Sequence, residues 1–271
     1  MTAIRQPAVA GMFYPADAGT LGRMVDDYLA AAAPGEGPAP KAIVAPHAGY
    51  PYSGPVAASV YRAVAPRRES IRRVILLGPA HRVPFRGLAL PDVDALRTPL
   101  GDIPVDTDGI AAIADLPQVG NLAVAHAREH SLEVQLPFLQ RVLGEFRIVP
   151  LVVGEAEPDE VAEVLDRLWG GPETLVVISS DLSHFHDEST ARQLDGATSR
   201  AIEELRPDAI GFDNACGRTP LNGLLTVARR RGLVAKTLDR RTSADTAGSP
   251  EQVVGYGAYA FIEPGTSEVA A

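Results

Sequence analysis

Cysteine is nearly absent: Cys216 is the one copy in 271 residues. A single thiol excludes an internal disulfide framework and suits a reducing compartment, so a cytoplasmic location is expected. Positive charge is also in deficit. Lys and Arg number 25 against 34 Asp and Glu, a net charge of −9 with a pI near 5.2. That balance argues against a non-specific grip on nucleic acid, which needs clustered cationic charge. Short basic runs such as Arg229-Arg230-Arg231 read instead as a helix end, where cations suit the macrodipole. No apolar run approaches the ~18 residues that suggest a membrane span. No N-terminal stretch has the charged, apolar and small-residue order of a signal peptide. Repeats and low-complexity segments are missing too. What remains is an ordinary globular composition, 46% hydrophobic and 22% charged. The length suits a single domain over 1–271, with 1–40 as a lead-in helix and linker.

Apolar strands alternate with helical patterns along the rest of the chain. Strands are expected near 41–46, 74–78, 87–91, 147–153, 174–180, 233–239 and 255–262. Helices are expected near 19–33, 54–64, 108–115, 131–143, 158–169, 188–205 and 219–231. Thr219 reads as an N-cap before Pro220, and Asp187 precedes Glu188 in a first turn. Most strands are continuous Val, Ile and Leu runs, the pattern of strands covered by helices on both faces. "GYGAYAFIE" (255–263) partly alternates and reads as a sheet edge. The expected fold is therefore α/β: a single three-layer domain with a largely parallel central sheet.

Three strands end in groups that bind metals or move protons. "KAIVAPHAGY" delivers His47, "VILLGPAH" delivers His81, and "TLVVISSDLSHFH" delivers Asp181 and His184. Parallel strands gather such residues on the carboxyl rim, where open α/β sheets bind ligands. Singly, His47 and His81 could each be a turn histidine bonded to a backbone carbonyl. Three strand ends each supplying a histidine, in a chain with six, favour a shared site. Asp181 could cap the turn that follows it or orient His184, which then acts as a proton shuttle or an added ligand. His130, in "AREHSLEVQLPFLQ", could cap or face solvent before the Leu132, Leu136, Leu139 and Leu143 stripe, or it could stand beside the site. Ser131 is a possible cap for that helix, with Glu133 in its first turn. His126 and His186 read as exposed. Cys216, in "NACGRTPLNGLL", is either a small buried hydrophobe or a thiol whose pKa a helix N-terminus lowers.

"APHAGY", "LGPAH", "EHSLEVQLPFL", "SSDLSHF" and "ACGRTP", in that order, resemble the Memo family, whose prokaryotic members are called AmmeMemoRadiSam system protein B. The opening "RQPAVAGMFYPAD" is similar to that family's N-terminus, so the resemblance covers nearly the whole chain. It implies a fold similar to the catalytic subunit of class III extradiol dioxygenases, which use non-heme iron. It also implies that His47, His81 and Cys216 contact a metal, with Asp181 and His184 alongside. The dioxygenases have a carboxylate where this chain has Cys216. The family is associated with copper or iron binding, with redox chemistry and, in animals, with phosphopeptide binding and cell motility. Its name pairs it with radical-SAM and AMMECR1-type proteins, which makes these candidate partners.

Three functions are compatible with the residues. A redox metal protein would use two imidazoles and a thiolate for iron, copper or zinc, leaving positions open for a small-molecule substrate. A blue-copper site is disfavoured, since Met1, Met12 and Met24 lack the context of an axial-ligand loop. A binding module would take an acidic or phosphorylated peptide or ligand, with Arg82 and Arg218 as anion partners. A metal-assisted hydrolase with His184 as base ranks last, because nothing identifies an oxyanion stabiliser.

Overall fold

Each central strand carries apolar residues at every position, and the fold uses both faces. The structure is a computed structural model and describes residues 3–35 and 37–265. In chain order the strands are β1 (Ile4–Arg5), β2 (Ala42–Ala45), β3 (Arg73–Pro79), β4 (Leu88–Leu90), β5 (Ala95–Thr98) and β6 (Gly101–Pro104). They continue as β7 (Val119–Asn121), β8 (Arg147–Val153), β9 (Thr174–Ser179), β10 (His184–His186), β11 (Val234–Thr242) and β12 (Val253–Ile262). The helices are α1 (Ala18–Ala31), α2 (Tyr50–Val64), α3 (Thr107–Ala111), α4 (Ala123–Ala127), α5 (Leu136–Val142), α6 (Pro158–Leu168), α7 (Glu188–Glu203) and α8 (Arg218–Arg231).

A nine-stranded sheet runs in the order β10-β12-β2-β9-β3-β8-β4-β7, with β11 also paired to β12. Its centre, β2-β9-β3-β8, is parallel throughout. Successive residues of these strands feed opposite cores. Ile43, Leu76 and Val177 pack with α1, α2 and α5. Val44, Leu77 and Ile178 pack with α6 and α8. Two buried faces explain the unbroken Val, Ile and Leu runs, and they give the three layers expected. A separate three-stranded sheet, β1-β5-β6, was not anticipated; its strands are only 2–4 residues long and carry little periodicity. Among the described residues no helix is long and apolar enough to cross a membrane.

Several expected boundaries move for physical reasons. The strand β12 is no edge: it lies between β2 and β11, and both its faces are buried. Its Gly and Ala residues alternate with tyrosines that bury on opposite sides, Tyr256 in one core and Tyr259 in the other. The strand with alternating exposure is β11. Helix α2 starts four residues earlier than the Gly and Pro residues of "YPYSGP" suggest, because Pro51 falls in the first turn, where no N–H is needed. Helix α8 begins at Arg218 after the N-cap Gly217, so Thr219 is not its cap. The Leu132–Leu143 stripe is buried as expected, but a 3₁₀ turn occupies Glu133–Gln135 and only Leu136–Val142 is α-helical. Asp187 does cap α7, accepting the Thr190 N–H at 3.0 Å.

Candidate metal centre

Strand β9 lies between β2 and β3, and the three run parallel in register, Ala45 opposite Ser179 and Leu77 opposite Ile178. Their carboxyl ends therefore release His47, His81 and Asp181 at one height. Cys216 arrives from the far side of the sheet, in the turn before α8. Gly217 lets that turn approach: a Cβ there would lie 2.6 Å from the Ser179 carbonyl oxygen. The result is that Cys216 Sγ stands 3.3 Å from His47 Nε2. One donor atom each from His47, His81 and Cys216 lie within 4.8 Å of one another, and so do those of His81, Glu129 and His130. Either group could hold a metal ion.

Hydrogen bonds decide which ring nitrogens face the pocket. The Ser179 hydroxyl donates to the Ser131 carbonyl at 2.6 Å, so its oxygen can only accept from His47 Nδ1, 2.8 Å away. The His47 proton is thus on Nδ1, and the Nε2 lone pair points at the sulfur. Gln135 Nε2 donates to the same serine oxygen and to the Pro46 carbonyl, and Tyr61 OH holds its Oε1. His81 is fixed likewise. Glu129 accepts from its backbone N–H at 2.6 Å and lies 2.8 Å from its Nδ1, leaving Nε2 for a ligand. A carboxylate behind a histidine is the usual support for a metal-bound imidazole. Glu129 also accepts the N–H groups of His130 and Ser131.

His130 completes the group. Its ring stacks on His81 at 4.7 Å, meets His47 edge-on at 5.5 Å and leans on Phe13 at 4.8 Å. Its Nδ1 is buried without a hydrogen-bond partner among the described residues. Ser131 caps no helix; its hydroxyl donates to the Pro79 carbonyl. Asp181 is buried, and its carboxylate accepts the His47 N–H at 2.7 Å. No hydrogen bond joins it to His184 among the described residues. His184 is half-buried on β10, close enough to act electrostatically on both His47 and Asp181. His186 is half-buried as well, not exposed. His126 is the larger correction. It is buried, with Nε2 2.8 Å from the Ala89 carbonyl, because α4 turns its ring inward, a direction that five residues of helix do not reveal in sequence.

Burial sets the charge states. It is the largest influence on His47, holding its pKa well below the usual value, with His81 and His130 adding to the effect. Burial likewise keeps His130 low. Burial and then the Asp181 carboxylate push the Cys216 thiol up, so it is protonated without a metal. The expected lowering is outweighed: the Asp181 and Gly217 N–H groups act in that direction, but burial prevails. Burial would raise Glu129, but its bonds to His81 and to the Ser131 and His81 N–H groups prevail and hold it at about 2.

These shifts predict acid sensitivity. The buried His126 has a pKa lowered from 6.5 to about 4. A depressed pKa contributes stability above the ordinary value and loses it as pH falls through the folded one. The thermal unfolding midpoint of the metal-free protein should fall between pH 6.5 and about 4, and again from 4.5 to about 2 as Glu129 protonates. His126→Gln should reduce the upper part without abolishing it, since burial holds His47 and His130 low as well. A midpoint constant from pH 6.5 to 4 would contradict these assignments.

A cavity of about 820 Å³ lies at the opposite rim against Arg73 and Arg147, the first residues of β3 and β8. None of the candidate ligands lines it.

Comparison with known proteins agrees with the motifs. The sequence model of the Memo-like protein family matches residues 5–260. A "MEMO1 family protein" of Aquifex aeolicus is 38% identical over 96% of this chain and 99% of its own length. A MEMO1 family protein of Methanopyrus kandleri is 36% identical over 95% of this chain and 98% of its own. One from Ignicoccus hospitalis is 35% identical over 96% and 99%. These similarities cover nearly the whole chain.

Proposed function

The chain belongs to the Memo-like family, and from that premise we propose that it is a redox metal protein whose ion is held by His47, His81 and Cys216. The observation that carries this reading is the 3.3 Å approach of Cys216 Sγ to a His47 Nε2 that Ser179 leaves unprotonated. Two ligands of one ion, with bonds of roughly 2.0 and 2.3 Å, sit roughly 3.5 Å apart, so little movement would be needed. Two imidazoles and a thiolate suit iron or copper, with zinc also compatible. A bound iron or copper ion would supply one-electron chemistry at a coordination position open to a small molecule. The His81 side chain, 28% exposed, marks the side from which that molecule would enter.

The remaining residues would position and move protons. Glu129 orients His81. Asp181 fixes the His47 backbone through its N–H. Cys216 would lose its proton on binding the ion, and the half-buried His184 is the group placed to carry protons between the pocket and solvent. His184→Ala should therefore leave metal content near wild type while reducing redox cycling. Metal loss equal to that of His81→Ala would make His184 a ligand instead. The test of the whole reading is metal analysis of anaerobically purified protein. Stoichiometric iron or copper supports it, and a metal-free protein of undiminished stability counts against it.

A further inference from the structure

On the outer side of the Cys216 turn, a second cleft of about 250 Å³ opens between the first turns of α6 and α8. Arg86, Glu155, Glu157, Arg218, Thr219 and Asn222 line it. Its cationic groups are unspent. Among the described residues the Arg86 side chain makes no hydrogen bond or ion pair, and the Arg218 guanidinium only stacks over Phe212 at 5.5 Å. Other arginines of this acidic chain are engaged with carboxylates, Arg97, Arg141 and Arg192 among them. Helix α8, 14 residues long, opens on the cleft with no side chain capping it, which adds positive potential.

A second observation points the other way in charge. Asn222 is 7% exposed, and its Nδ2 donates to the Ile210 carbonyl at 3.1 Å. A carbonyl can only accept, so the amide cannot be flipped. That leaves Asn222 Oδ1 buried and without a donor. Glu155 beside it likewise has an unpaired carboxylate among the described residues. The cleft is therefore lined by two free guanidiniums and a helix N-terminus, which suit an anion, and by a carboxylate and a residue with a starved acceptor, which suit an N–H donor. A bare anion would satisfy only half of these groups, and a bare cation only the other half.

We propose that this cleft binds a small zwitterion of the α-amino-acid type. Its carboxylate pairs with Arg86 and Arg218, in the geometry guanidinium favours. Its ammonium donates to Asn222 Oδ1 and faces Glu155. The assignment does not rest on the metal reading, since none of these groups is a proposed ligand. Calorimetric titration of the full chain with L-alanine, acetate, ethylamine and inorganic phosphate tests it. L-Alanine should bind at least about tenfold more tightly than any of the three single-charge probes. Asn222→Leu and the exposed Arg86→Gln should each weaken it by about tenfold or more, whereas His47→Ala, which would abolish the metal site, should not. Arg86→Gln keeps the test decisive if Asn222→Leu folds poorly. Phosphate or acetate binding as tightly as L-alanine would overturn the proposal, as would no heat from L-alanine up to about 20 mM.

Discussion

Cys216→Ser is expected to lower iron or copper affinity by more than the roughly 10–100-fold that losing an outer partner of a ligand costs. Serine keeps the size of the side chain but replaces a soft thiolate with a hard, protonated hydroxyl. Folding stability should change far less. The sulfur's contacts include His47 Nε2 at 3.3 Å, the Asp181 N–H at 3.3 Å and the Asp181 carbonyl at 3.7 Å, and a hydroxyl can serve the same donors and acceptors. The wild-type pH dependence should carry the same signature. Burial and Asp181 hold the thiol protonated, so metal binding must expel that proton. Affinity should then rise about tenfold per pH unit around neutrality. In Cys216→Ser that slope should flatten. A mutant with wild-type affinity and slope would remove Cys216 from the site.

Glu133→Ala should cost about 3–5 kcal/mol of folding stability, the range for stripping one partner from a buried ion pair. Glu133 is fully buried and serves four groups at once. Arg5 Nη1 donates to it at 2.8 Å, the Ala8 and Val9 N–H groups at 2.7 and 2.9 Å, and Tyr14 OH at 2.6 Å. Without it, Arg5 would be buried and uncompensated. The damage should reach the metal pocket, although Glu133 touches none of the proposed ligands. Arg5 also holds the His126 and Glu129 carbonyls at 2.7 and 2.6 Å, and Glu129 orients His81. Urea unfolding measures the stability, and metal titration of the folded mutant measures the transmitted effect. A loss below ~1 kcal/mol would show that water replaces Glu133 at its partners.

The rim is legible because its strands are nearly pure apolar runs, so the first titratable residue after each had to lie near a strand end. His47, His81 and Asp181 follow from that alone, and the parallel order of β2, β9 and β3 brings them together. Cys216 could not be placed this way. Its approach depends on Gly217 passing the Ser179 carbonyl, a tertiary contact with no local periodicity. The supporting role of two carboxylates is hidden for a similar reason, Glu133 reading only as a first-turn helix residue. Glu129 and Glu133 lie in a polar-looking stretch, "REHSLEV", where charge suggests solvent, yet both are buried because they answer backbone N–H groups from distant segments. Glu129 directly before His130, near a strand-end histidine, was the available signal. Asp181 was assigned in sequence either to a turn or to His184. The register between β2 and β9 instead puts its carboxylate on the His47 N–H.

X-ray absorption at the metal edge of anaerobically loaded iron or copper protein addresses the central claim most directly. The ion should show one sulfur at about 2.3 Å and two imidazole nitrogens at about 2.0–2.1 Å, with the sulfur lost in Cys216→Ser and one imidazole lost in His81→Ala. A shell of nitrogen and oxygen alone in the wild-type protein would contradict it, and would favour the group formed by His81, Glu129 and His130.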